Sequence, residues 1–434
     1  MRKKSQQNRH IGLRLLMVAL LLMAALPAVW ADDTIEKPAP NPAAEAKATA
    51  AGAKQETAAD AKPRFDIYGA AMLDMGYNFG QSHPDWFDVA RPSKLPAYKD
   101  EYGKDGNWFM GVRQSRLGFK AFIPTGLGEL KTIFEFELFG TGVTAGQTTF
   151  RLRHAYGELG HFGAGQTWSP FMDPDVFPNS IEYWGPNGMV FFRNVQFRWM
   201  PLMGDTTVII ALERPGASAD QGPYADRLEI QNIKARFPLP DLSVQYRRSG
   251  KWGHVQLSGM LRQMRWDDMY VDQYYLSGKA TGWGLHLSGN YIIDKDTIRA
   301  SVLYGAGIEN YMNDAPVDIG IKNNFSDPVT PILGKALPIF AMVAFYDRTW
   351  SDKWTSTIGY SYVNISNTDG QNPDAFKAGH YALVNLLYYP TNNFFLGPEL
   401  QWVRRENFSD GWSVSGFRIQ FSAKYSFKFS IGGK

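Results

Sequence analysis

Ten cations fall where the alternation of a strand would turn them towards one face of a sheet: Arg116 and Lys120 in Gln114–Lys120, Arg151 and Arg153 in Phe150–Arg153, Arg198 in Gln196–Trp199, and then Arg262, Arg299, Arg405, Arg418 and Lys424. A guanidinium presents a planar fork that matches a carboxylate, so a row of them could hand an anion along. Taken singly, each is read more readily as a wall residue paired to a nearby acid than as a ligand contact; the cluster carries the expectation. The matching acids lie in Gly165–Gly188, where Asp173, Asp175 and Glu182 stand among four prolines and five aromatic residues. Proline-fixed backbone and adhesive rings make such a loop stiff. It follows a strand too short to span a membrane, and is expected to fold inward as a constriction that includes Asp173, Asp175, Glu182, Tyr183 and Trp184. Carboxylates on one side of a narrow passage and guanidiniums on the other would create a transverse field that orients solutes and sets ion preference.

Other chemistry finds little footing. The seven histidines are scattered, and no His pair or paired acids show metal-ligand spacing. There is no Gly-x-Ser-x-Gly elbow, and Gly163–Gln166 is a glycine turn without a following helix. With no cysteine, disulfides and thiolate metal sites are excluded. The reading is therefore of a protein that is not an enzyme and carries no cofactor. The pI of about 8.7 is no argument for nucleic acid. Arg2, Lys3, Lys4, Arg9 and Arg14 supply five positive charges, and taking them from +3 leaves −2 for the rest.

Those five open a secretory signal. The apolar stretch Leu15–Leu26 and the close Ala28-Val29-Trp30-Ala31 complete it, so residues 1–31 are expected to be removed. Residues 32–63, rich in Ala, Lys, Glu, Asp and Pro without heptads, read as a low-complexity periplasmic extension. From residue 64 to 434 the pattern is of sixteen strands, about 64–78, 107–122, 129–140, 148–160, 163–169, 190–200, 205–213, 240–249, 252–266, 279–292, 296–312, 338–349, 353–366, 378–390, 394–406 and 412–429. Short links alternate with long ones, the asymmetry of bacterial outer-membrane barrels, and an even count lets antiparallel neighbours close without an edge. The last strand sets the polarity. Phe417, Ile419, Phe421, Ala423, Tyr425, Phe427 and Phe429 alternate with Arg418, Gln420, Ser422, Lys424, Ser426 and Lys428. In a membrane barrel the greasy face meets lipid and the polar face lines the lumen. The expected architecture is all-β, a sixteen-stranded antiparallel transmembrane barrel with an inward constriction loop. Two strands are irregular: 378–390 is apolar at both parities, and Arg113 falls on the outer parity of 107–122, which a bulge or a face buried against another subunit would explain.

At these residues the chain resembles the DcaP-like family of trimeric outer-membrane porins. The resemblance rests on Gln114–Lys120, Gly165–Ser169 with Asp173-Pro174-Asp175, Arg193–Arg198, Arg404–Asn407 and Arg418–Phe421, with Gly282-Trp283-Gly284 a weaker match, and it covers most of 64–430. It implies a homotrimer in a Gram-negative outer membrane, in contact with lipid and lipopolysaccharide, that prefers small anionic solutes, dicarboxylates in particular. On that basis Arg193 joins Arg116, Arg151, Arg153 and Arg198 as the anion path. Such barrels usually end on an aromatic residue that the assembly machinery reads; here Phe429 would serve, although Ser430–Lys434 follow it. The alternative reading is a sugar-selective or general porin, with Trp168, Tyr183 and Trp184 beginning an aromatic track.

Overall fold

The computed structural model describes residues 62–270 and 272–433. The expected signal segment, and the extension up to residue 61, lie outside the described residues. Sixteen antiparallel strands form one closed sheet. They are β1 (Arg64–Asn78), β2 (Asn107–Gly111 and Arg116–Thr125), β3 (Gly128–Phe139), β4 (Thr148–Leu159), β5 (Phe162–Trp168), β6 (Arg193–Leu202), β7 (Thr206–Glu213) and β8 (Ile233–Arg236 and Asp241–Gly250). There follow β9 (Gly253–Asp268), β10 (Gly278–Ile293), β11 (Asp296–Ala306), β12 (Pro338–Ser351), β13 (Trp354–Ile365), β14 (Phe376–Asn385 and Leu387–Thr391), β15 (Phe394–Asn407) and β16 (Ser413–Gly432). Closure comes from β16 pairing with β1, from Arg64 opposite Gly432 to Asn78 opposite Arg418. The last strand therefore runs past Phe429, and Ser430, Ile431 and Gly432 are ladder residues opposite Asp66, Phe65 and Arg64.

The polarity is inverted relative to a soluble sandwich. On β16, Phe417 is 60% exposed and Phe429 62%, whereas Arg418, Gln420 and Ser422 are buried. Phe134, Phe162, Phe197, Leu257, Leu285 and Leu400 repeat the pattern on other strands. An outer wall this apolar costs about 25 cal/mol per Å² of side chain left in water, and that cost vanishes when the surroundings are hydrocarbon. The short links turn tightly through left-handed backbone. Gly253 closes the β8–β9 turn at φ 120°, where an added Cβ would also stand 2.2 Å from the Asn290 carbonyl.

Both irregular strands are broken in the structure. Residues 112–115 form a turn between the two halves of β2, and this swings Arg113 inward onto Asp88 at 2.5 Å and onto the carbonyls of Gln147 and Gly140. In β14 the break is at Leu386. Its inner residues Tyr381 and Leu383 are apolar because they pack on other chain segments inside the barrel, in one buried cluster with Phe171, Met172 and Val176 of the loop after β5. Contact with another subunit is not needed to explain them. β11 is shorter than expected and stops at Ala306. Gly307, at φ 64°, turns the chain, and Ile308 and Tyr311 enter the same cluster.

Candidate functional site

The segment between β5 and β6, residues 169–192, is fastened residue by residue to inward-facing side chains of successive strands. Ser258 on β9 donates to the Pro170 carbonyl at 3.1 Å, and His286 on β10 meets the Phe171 carbonyl at 2.9 Å. Asp173 accepts from Ser288 at 2.8 Å, lies 2.6 Å from His254 Nε2, and pairs with Arg247 of β8 at 3.3 Å. Asp175 pairs with the same Arg247, and Arg299 of β11 donates to the Asp175 carbonyl. The Asn179 carbonyl accepts from Thr357 (β13) and Asn385 (β14), at 3.1 and 2.8 Å. Glu399 of β15 then accepts from Ser180 and from the Ile181 amide. The Ile181 carbonyl takes Gln420 of β16 and Gln114 in the turn between the halves of β2. Tyr183 ends the traverse by donating to Glu137 of β3.

The acids expected to project charge across the space do not do so. Asp173, Asp175 and Glu182 are all buried. Burial favours a neutral Asp173, but His254, Arg247 and Ser288 outweigh it and hold the carboxyl below its usual range. No cation pairs with Glu182 among the described residues: it accepts from the backbone amides of Ala90 and Gly185, and burial outweighs the charge of Arg418 and pushes it up to about 7. Asp173, Asp175 and His254 bring three donor atoms within 4.8 Å of one another, as a metal ion would need. The Arg247 guanidinium already supplies the positive charge there, so the trio reads as an ion-paired anchor.

Tyr183 stacks on Phe139 with ring centroids 3.7 Å apart. Trp184 lies edge-on to Trp86, and the Arg91 guanidinium sits 4.0 and 4.2 Å from their ring centroids. Arg91 also pairs with Asp314 at 2.9 Å, so this junction joins three loops: 79–106, 169–192 and 307–337.

The cations fall into two groups. Arg116, Arg151, Arg153 and Arg193 surround Glu135 and Glu137 on β3. Arg153 bridges the two carboxylates at 2.5 and 2.6 Å. Arg116 lies 3.5 and 3.6 Å from them, and Arg151 and Arg193 reach Glu137 at 3.4 and 3.8 Å. A register shift at Glu135/Phe136 explains the density: His154 pairs with Glu135 and Leu152 with Phe136, leaving Arg153 between them without a partner. Four guanidiniums against two carboxylates leave an excess of two positive charges. Among the described residues Arg193 Nη1 is buried with no hydrogen-bond partner, and Arg116 Nε has only its 3.5 Å ion pair with Glu135. Arg198, next along, donates to the Trp168 carbonyl and to Gln196 and makes no ion pair among the described residues. Lys120 rests over Tyr68. The side chain of Arg151 is 30% exposed, which leaves it reachable.

The remaining candidates are dispersed and serve as loop anchors. Arg262 is fully buried between Asp241 and Asp318. Arg299 pairs with Asp347 at 2.6 Å. Arg405 donates to the carbonyls of Ser93, Leu95 and Asp374. Arg418 donates to the Asp88 carbonyl. Lys424 lies 6.0 Å from the Phe395 ring. Sequence reasoning missed Arg91 and Arg247. It also gave no role to Glu135 and Glu137, the countercharges of the arginine group.

A sequence model of the DcaP outer membrane protein family matches residues 41–427. The chain belongs to that family. It is an outer-membrane protein, of a family whose structural neighbours are channels and porins. Among solved structures it is similar to the outer membrane channel DcaP of Acinetobacter baumannii, at 20% identity and a TM-score of 0.70, covering 87% of this chain and all of that one. The trimer form of OmpT from Vibrio cholerae matches at 14% identity and 0.50, covering 84% of this chain and 99% of that one. An anion-selective porin from Comamonas acidovorans matches at 10% identity and 0.52, covering 84% and all of it. At such identities these likenesses speak to the fold. Among curated proteins no sequence matches.

Proposed function

We propose that this member of the DcaP family is a passive diffusion channel for small hydrophilic solutes that favours anionic organic acids such as dicarboxylates. Segment 169–192 would narrow the passage against the wall of β2–β6. The observation that carries the reading is the group of four guanidiniums around Glu135 and Glu137, with its excess of two positive charges, beside Arg198, which makes no ion pair among the described residues. Fixed positive charge in a narrow, partly dehydrated passage raises the local concentration of anions, and weak binding at several sites lets them leave. The sugar reading has less support, because Tyr183 is stacked on Phe139, Trp184 is packed against Trp86, and Arg193 covers Trp168 at 4.6 Å. An anion-selective porin and a trimer both occur on this fold, so neither anion preference nor a homotrimer asks for a departure from it. Phe429 and Ile431, outward at the end of β16, would offer the assembly machinery its apolar signal. Liposome swelling tests the proposal. Succinate should enter faster than a neutral polyol of similar size, and equal rates would remove the anion preference.

A further inference from the structure

Loop 79–106 closes over a cavity against the loop-side ends of β15 and β16, and the cavity is open to solvent on one side. It is separate from the Glu135–Glu137 group. Its charged lining is entirely positive: Arg91, Lys94 and Arg418, with no Asp or Glu among the lining residues. Arg91 is occupied by Asp314. The Lys94 ammonium makes no ion pair or hydrogen bond among the described residues. Arg418, 3% exposed, uses only Nη2, which donates to the Asp88 carbonyl and Gln420 at 2.5 and 2.7 Å; its Nε and Nη1 are buried without a partner. The acids whose charge reaches Arg418 hold hydrogen bonds elsewhere, Glu182 with the amides of Ala90 and Gly185, Asp88 with Arg113, and Asp74 with Gln420 and Ser422. The Ser82 hydroxyl, on the same lining, is also buried and unpartnered.

Buried donors without acceptors are rare and costly, and Arg418 and Ser82, which carry them, line one space together with Lys94. Much of the remaining lining is apolar or aromatic, with Trp86, Phe87 and Leu95. A hydrated inorganic ion has no use for such a surface, whereas the body of an organic acid does. We propose that this cavity binds a small organic carboxylate carrying an apolar or aromatic body. The carboxylate meets Lys94 and the idle edge of Arg418, and the body lies against Trp86 and Leu95. The site stands at the mouth formed by the long loops, where it would collect such acids from dilute solution.

The test is a tryptophan-fluorescence titration of the purified full chain in detergent with benzoate, using benzamide as its neutral counterpart. Saturable quenching by benzoate, at least about tenfold weaker for benzamide, is expected, and Lys94→Gln should raise the benzoate Kd about tenfold, as loss of one charged contact does. Heat-modifiable gel migration verifies that the variant is folded. Absence of saturable quenching, equal binding of benzamide, or an unchanged Kd in folded Lys94→Gln overturns the proposal. A Kd raised by Arg151→Ala but not by Lys94→Gln also overturns it, by moving the binding to the arginine wall. Benzoate binding lost with Lys94 supports the cavity whatever the preference in conduction, so failures of the two readings are separable.

Discussion

Replacing Glu137 with Gln removes the one carboxylate charge that all four guanidiniums share. Arg153, Arg151, Arg116 and Arg193 lie 2.6, 3.4, 3.6 and 3.8 Å from its oxygens. At an effective dielectric constant near 20, a unit pair about 3.5 Å apart attracts by about 5 kcal/mol, and desolvation and mutual arginine repulsion offset much of that sum. Breaking a buried pair from one side typically costs about 3–5 kcal/mol, because the partner stays buried without its countercharge. Arg153 would be in that position, left with Glu135 alone. Arg151→Ala is the control. Its side chain is 30% exposed and 3.4 Å from Glu137, so the loss should be under about 1 kcal/mol. Unfolding of the purified barrels across a urea series, followed by heat-modifiable gel migration, compares them. Coincident midpoints for Glu137→Gln and Arg151→Ala would refute the idea that Glu137 organises the wall.

Arg91→Ala should loosen the junction of the three loops, exposing bonds in 79–106 to proteolysis at protease levels that leave the parent intact; an unchanged digestion pattern would count against the junction. Glu182 binds protons more tightly folded than unfolded, since burial raises its carboxyl from an ordinary value near 4.5 to about 7. Its contribution to stability should therefore fall as pH rises from about 4.5 to 7 and then level off, by at most about 3 kcal/mol, and Glu182→Gln should flatten that slope in urea midpoints. Gly253→Val meets both left-handed backbone and the Asn290 carbonyl, so the yield of folded barrel should drop, whereas Gly126→Ala, in open space, should be silent; equal yields would contradict the strain argument.

The strand plan was legible because lipid outside and polar side chains inside impose a period of two along every strand, and the ends came within a few residues. Where Arg113 and strand 378–390 broke that period, the structure has a turn at 112–115 and a break at Leu386. The over-extended strand 296–312 shows the limit: Ile308 and Tyr311 are apolar like strand residues, yet they face other loops inside the barrel. Parity also tells which face a side chain takes but not its neighbour across strands distant in sequence. Asp173 and Asp175 were therefore set against the arginine wall, when Arg247 and His254 hold them in place. Arg262, Arg405 and Arg418 have the inward parity of a pore wall and are buried under loops whose course no periodicity encodes. The grouping of Arg151 and Arg153 with Glu135 and Glu137 needed the register shift between β3 and β4.

The proposed anion preference rests on the unbalanced guanidiniums of the β2–β6 wall. The zero-current potential of the purified protein in planar bilayers under a salt gradient tests it most directly, with parent and Arg151→Ala, Arg198→Gln double variant side by side. A potential of the sign for anion preference is expected in the parent, moving towards zero in the variant. A cation-selective parent, or a variant with the parent's potential, would contradict it.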